Sequence, residues 1–171
     1  MDSKNLIEFF CSKGINKDNK YLKKILELNL EEVSYLDIYK KSRYKKYSDL
    51  NRAKEKLGVY IFYTEKGKNL DFLYVGECHT LNSKRDLKVR ITQHFTAKNT
   101  GGLPYNVCNK DVKEAKRLID KFAKDNVKIT YIILEEPREI ILMESFLISA
   151  LEPKYNFFKI GEEIKEEEEN S

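Results

Sequence analysis

Tyr60, Tyr74, Arg90, His94 and Glu144 are the side chains of this 171-residue sequence whose types and spacing could do chemistry. Arg90 and His94 stand four residues apart in Leu-Lys-Val-Arg-Ile-Thr-Gln-His-Phe, so one helical face can present both. Two phenols, a guanidinium and an imidazole brought to one cleft suit an anionic substrate that carries phosphate. Glu144 differs in its setting. Ile140, Leu147, Ile148 and Leu151 surround it at helical spacing, so a carboxylate interrupts an apolar stripe. A buried carboxylate needs a cation or a set of hydrogen-bond donors. The residues alone leave two readings open: a divalent metal ligand, or an ion pair with Arg90 or a lysine.

The elements that must position these groups follow from periodicity. Residues 58–64 and 72–75 are dense in β-branched and aromatic side chains and predict two strands. Residues 65–71 between them hold Gly67 and Asn69, which predicts the turn of a hairpin. Alternation along the strands puts Tyr60 on a face with Phe62, and Tyr74 on a face with Phe72 and Gly76. Leu87, Ile91 and Phe95 make the apolar stripe of the helix that carries Arg90 and His94. Residues 77–86 and 96–109 read as polar loops, the second with Gly101, Gly102 and Pro104. A helix over 111–124, a third strand over 127–134 and a last helix from Pro137 to about Leu151 complete this part, with proline well placed at a first helical position. Upstream, short helices are predicted over 5–12 and 18–30.

This pattern resembles the GIY-YIG nuclease family. Gly58-Val-Tyr60 stands for GIY and Tyr74-Val-Gly76 for YIG, and the Arg90-x-x-x-His94 helix, Glu144, and Pro153 with Asn156 follow in the family's order. The likeness covers residues 57 to 157. It implies a small α/β (α+β) domain in which a three-stranded, mostly antiparallel sheet is flanked by helices. It also implies a divalent metal, Mg²⁺ or Mn²⁺, on Glu144, and hydrolysis of a phosphodiester by water. Arg90 would then contact the scissile phosphate, a role that suits a planar, forked donor. His94 would relay a proton or position the attacking water. Tyr60 would be the general base, with Tyr74 assisting or ordering water, and Asn156 would buttress the site. A free phenol has a pKa near 10, so either tyrosine needs a cation or a proton relay to act at neutral pH. Two departures accompany the likeness: extra residues around 66–71 separate the tyrosines, and the loop from Gly76 to Arg90 is long. His79 has no counterpart in the family and reads as a surface residue.

Charge supplies a second line of inference. The formal net charge of +4 conceals an acidic tail, because residues 161–171 hold six glutamates and one lysine; without them the chain is strongly basic. A basic body favours polyanions. Residues 39–56 hold eight Lys or Arg against two acids, interleaved with Tyr39, Tyr44 and Tyr47. Lys40, Lys41, Arg43, Lys45 and Lys46 are the candidate nucleic-acid contacts there. An amphipathic helix with packed tyrosines and solvated lysines would look the same. Three widely spaced cysteines (Cys11, Cys78, Cys108) predict reduced thiols in a cytoplasmic protein, and the absence of a Cys-x-x-Cys pair argues against structural zinc. No apolar run approaches the roughly 20 residues of a membrane span.

The expected organisation is therefore a helical basic extension over 1–56, a nuclease domain over 57–158 and an acidic, disordered tail over 159–171. The expected function is a Mg²⁺-dependent endonuclease, with DNA a better substrate than RNA and restriction, mobile-element or repair roles all compatible. One such site cuts one strand, so double-strand cleavage would require a homodimer or two successive events. A non-catalytic nucleic-acid-binding module of the same fold is the alternative.

Overall fold

The β-rich runs form the middle of one sheet. In the computed structural model, which describes residues 3–28, 30–42, 47–67, 69–81 and 85–156, Leu57–Lys66 (β2) pairs antiparallel with Asn69–Cys78 (β3). The strands run further than expected. Lys66 faces Asn69, so most of 65–71 is strand rather than turn, and Gly67 makes the reversal at a φ of 63° that costs glycine little. Lys128–Leu134 (β4) pairs antiparallel with the other side of β2.

A fourth strand, Glu31–Ser34 (β1), joins the outer side of β4 and gives the order β1-β4-β2-β3. The α/β class and the antiparallel sheet flanked by helices are as expected, with four strands in place of three. Glu31, Glu32 and Ser34 leave Val33 as the only apolar residue of β1, so its conformation comes from pairing with β4 and not from its own composition.

Helices cover both faces. On one lie Tyr35–Ser42 (α3), Leu87–Thr92 (α4) with a 3₁₀ turn over Gln93–Phe95, Leu103–Val107 (α5) and Val112–Lys124 (α6). Their Tyr35, Ile38, Leu87, Ile91, Phe95 and Phe122 pack on Tyr60, Phe62, Ile129 and Tyr131 of the sheet. On the other lie Ser3–Ser12 (α1), Lys20–Glu27 (α2) and Pro137–Leu151 (α7), whose Phe10, Leu22, Ile140 and Leu147 pack on Val59, Ile61, Val75 and Ile132. Helices as short as α1 and α2 do not persist alone. Leu6, Phe10, Leu22 and Ile25 retain no exposed surface, and each such burial contributes about 1.5–3 kcal/mol. Residues of the 1–56 segment thus supply part of one core and one strand of the sheet. The second helix ends at Glu27, short of residue 30, because Leu28 is already extended at φ −96° and ψ 144°.

One irregularity bears on the site. Phe62 faces Tyr74 while Tyr63 faces Phe72, so Leu73 is an extra residue in β3. This bulge reverses the facing of everything before it. Phe72 turns to the α7 side with Tyr63, whereas Leu73 and Tyr74 turn to the α4 side with Tyr60. Plain alternation therefore misplaces Phe72: Tyr74 shares its face with Gly76 but not with Phe72. Among the described residues no helix is long and apolar enough to cross a membrane.

Candidate active site at the sheet edge

The site begins where β2 and β3 oppose Tyr60 to Gly76. A Cβ at residue 76 would lie 2.5 Å from the Tyr60 hydroxyl and 2.9 Å from the Tyr74 ring. Only glycine leaves room for the Tyr60 side chain across the strand, which is the physical reason for Gly in Tyr-Val-Gly. Tyr60 is fully buried and Tyr74 keeps part of its surface exposed.

Asp86 sets the start of α4. One of its carboxylate oxygens accepts from the Val89 amide at 2.7 Å and the other from the Glu55 amide at 2.8 Å, while Leu87 and Ile91 anchor the helix in the core. Arg90 then projects toward β3. Its Nε donates to the Glu77 carbonyl at 3.3 Å and its Nη1 to Gln93 Oε1 at 2.8 Å.

His94 falls in the 3₁₀ turn and has no exposed surface. Its Nδ1 accepts from the Leu103 amide at 2.8 Å, and its Nε2 lies 2.7 Å from the Tyr60 hydroxyl. A backbone amide can only donate, so a neutral His94 carries its proton on Nε2 and donates it to Tyr60. Burial, then the Arg90 charge, push the His94 pKa down to about 3, which keeps the ring neutral. The loop expected over 96–109 makes this possible. At Gly102 a Cβ would lie 2.4 Å from the Gln93 carbonyl, so glycine lets the loop close in and deliver the Leu103 amide at the start of α5.

With Nε2–H of His94 donating to it, Tyr60 has its own hydrogen free, and its ring lies beside that of Tyr74, the centroids 6.2 Å apart. The donors run in one direction: Leu103 amide, His94, Tyr60. Burial raises the pKa of both phenols, and the Arg90 charge draws both down. Tyr74 keeps part of its surface exposed, whereas Tyr60 has none.

Glu144 lies on α7, half-buried, and its charge acts on Tyr60 and Tyr74. Its pKa rises to about 7, first through burial and then through Glu77, with Arg90 and His79 pulling the other way. Arg90 donates to Gln93 and to the Glu77 carbonyl, and no ion pair joins it to Glu144 among the described residues. Among the described residues no arginine or lysine pairs with Glu144, so the ion-pair reading has no support there. A half-buried carboxylate of that kind is a fitting hard-oxygen ligand for Mg²⁺ or Mn²⁺. Among the described residues no three His, Cys, Asp or Glu side chains gather to hold a metal by themselves.

Asn156 hydrogen-bonds the free edge of β3. Its Oδ1 accepts from the Val75 amide at 2.7 Å and its Nδ2 donates to the Val75 carbonyl at 2.8 Å. The Lys154 and Tyr155 amides bond the Phe72 and Leu73 carbonyls just before it.

The basic segment is less informative. Lys40 is exposed on α3, and Lys41 is taken by Asp49 at 2.6 Å. Tyr39 packs on the domain, its hydroxyl donating to Asp120 at 2.6 Å. Arg43, Lys45 and Lys46 lie outside the described residues.

Three groups at this site escape the sequence pattern: Gln93, the Leu103 amide and Glu77. Glu77 accepts from Nδ1 of His79 at 2.7 Å, so His79 is tied to the site and is not a plain surface residue. Glu-x-His at the end of a strand puts both side chains on one side, and that spacing was visible in the sequence.

Over 99 residues the chain is 31% identical to the UvrABC system protein C of Pseudothermotoga lettingae, a stretch that is 58% of this chain and 14% of that protein. Over 107 residues it is 28% identical to the UvrABC system protein C of Fervidobacterium nodosum, covering 63% of this chain and 14% of that protein. The chain thus spans about a seventh of the length of these curated relatives. No family model and no solved structure matches it.

Proposed function

We propose that this protein is a metal-dependent endonuclease that hydrolyses phosphodiester bonds in DNA. The observation that carries the reading is Glu144, a half-buried carboxylate without an ion-pair partner among the described residues, placed within electrostatic reach of Tyr74 and Arg90. The partial similarity to UvrABC system protein C and the GIY-YIG-like order of motifs support it.

In this reading Arg90 donates to the scissile phosphate with the N–H groups that Gln93 and Glu77 leave over, and its charge offsets that of the transition state. Tyr74 takes the proton of the attacking water. Tyr60 supports the Tyr74 phenolate as a hydrogen-bond donor, and His94 fixes the direction of that bond. Glu144 would hold Mg²⁺ or Mn²⁺, which would offset charge on the phosphate oxygens. Asn156 holds the strand that carries Tyr74.

The test is incubation of the protein with supercoiled plasmid and with mixed genomic DNA, in Mg²⁺ or chelator, beside Glu144→Ala. Cleavage that needs both the ion and Glu144 is expected. Cleavage that survives the substitution, or none on any DNA, would refute the reading. Discrete fragments from genomic DNA would indicate sequence recognition; nicking alone would indicate a single-strand activity.

A further inference from the structure

Resting on the hydrolase reading above, we infer that His79, oriented by Glu77, is a further catalytic residue that protonates the leaving oxygen. Nothing in the motif pattern assigns a role to either residue. The two sit directly after Tyr74-Val-Gly76 at the end of the edge strand. Glu77 Oε2 lies 2.7 Å from His79 Nδ1, the Glu77 side chain is only 13% exposed and the imidazole is 38% exposed. The buried member of the pair therefore holds the ring, and among the described residues nothing is hydrogen-bonded to its Nε2. A carboxylate on Nδ1 fixes the tautomer and the orientation of the ring, leaving Nε2 to exchange a proton.

The pair stands at the border of the cleft, Glu77 lying opposite Val59 on the side of the sheet that α7 and Glu144 cover. The Glu77 carbonyl receives Arg90 Nε, and the charges of Glu77 and His79 both act on Glu144, as that of Glu77 does on the two phenols. His79 is not in ion-pair contact with Glu144, since the carboxylate on its ring is that of Glu77.

Elimination among the described site residues points the same way. Breaking the P–O bond leaves an oxyanion that needs a proton. Arg90 does not release one. His94 is buried and neutral, with both nitrogens engaged. The phenols serve the attacking water, and Glu144 as a metal ligand is ionised. His79 remains. The balance is complete: the water oxygen bonds phosphorus, its proton goes to Tyr74, the P–O bond to the leaving group breaks, and His79 Nε2 gives its proton to that oxygen. Exchange with solvent then returns one proton to His79 and removes one from Tyr74.

The test uses the linkage that the wild-type protein cuts, in all-oxygen form and with sulfur at each bridging position in turn, in Mg²⁺. A thiolate leaves without protonation. His79→Ala is expected to lose roughly 10²–10⁴-fold on the oxygen substrate and to recover the wild-type rate on the substrate whose leaving atom is sulfur. Glu77→Gln, a positioning substitution, should show a smaller loss with the same recovery. His79→Gln, which retains size and polarity, guards against misfolding and should behave as His79→Ala. An equal loss on oxygen and sulfur substrates, a loss cured by more Mg²⁺, or no loss at all would overturn the assignment. A wild-type protein inert on every substrate would instead overturn the hydrolase reading beneath it.

Discussion

The two phenols should separate cleanly when each loses its hydroxyl. Tyr74→Phe removes the proposed proton acceptor, and the ring is partly exposed, so the fold is little affected. A general base contributes about 10²–10⁴-fold, and a loss in that range is expected. Tyr60→Phe removes the proposed donor to the Tyr74 phenolate and leaves the proton on His94 Nε2 without its partner, 2.7 Å away in the intact protein. A hydrogen bond to a charged group contributes about 1.5–3 kcal/mol, and about 1.4 kcal/mol corresponds to tenfold, so a loss of roughly 10–100-fold is expected. The orphaned donor should also cost about 1–3 kcal/mol of stability, because His94 has no exposed surface. Single-turnover cleavage and urea unfolding of both variants, side by side, measure the two effects. Tyr60→Phe should be the less inactive and the less stable of the two. If it is instead the more inactive variant with unchanged stability, Tyr60 meets the substrate and the assigned direction of the hydrogen-bond chain is wrong.

Two further outcomes follow from the edge of the sheet. Asn156→Asp keeps the acceptor for the Val75 amide but sets a carboxylate oxygen against the Val75 carbonyl, where Nδ2 now donates at 2.8 Å. It should cost about 1–3 kcal/mol at pH 7.5. The folded state favours the protonated acid, so its pKa is raised on folding and the deficit should shrink as pH falls toward 4.5; an equal deficit at both pH values in urea unfolding would contradict this. Glu144 titrates at about 7 in the folded protein, above its value in an unfolded chain. The folded state therefore binds more protons between about pH 4.5 and 7, and stability in chelator falls as pH rises through that window. Glu144→Gln should remove this loss, raising stability at pH 8 by about 1 kcal/mol once solvent screening is allowed for, with little change at pH 4.5. A difference independent of pH, read by thermal melting, would sink the assignment.

Legibility in the sequence followed how local each determinant was. The Arg90 helix was visible because Leu87, Ile91 and Phe95 recur at helical spacing and all three are buried. The central strands were visible through their Val, Ile, Tyr and Phe content. β1 was not, since Glu31 and Glu32 carry no strand signal and only β4, nearly a hundred residues later, makes them extended. The bulge at Leu73 was equally hidden, because apolar residues stand on both sides of it and any register buries something. Within the site, residue types were legible and hydrogen-bond direction was not. That His94 serves Tyr60 depends on the Leu103 amide, a group every residue but proline has, placed by a loop whose two glycines read only as a turn.

The position of the site at an edge strand has its own logic. An exposed edge offers unpaired amides and carbonyls, which invite association with other strands. Here the edge of β3 is met by the chain itself: Lys154 and Tyr155 bond the Phe72 and Leu73 carbonyls, Asn156 takes both groups of Val75, and Arg90 takes the Glu77 carbonyl. Two of these partners, Asn156 and Arg90, flank Gly76, where the absence of a side chain admits Tyr60. The groups that close the edge are therefore the groups that define the cleft. A substitution that frees this edge should cost activity and solubility together, whereas one confined to the reacting side chains, such as Tyr74→Phe, should cost activity alone.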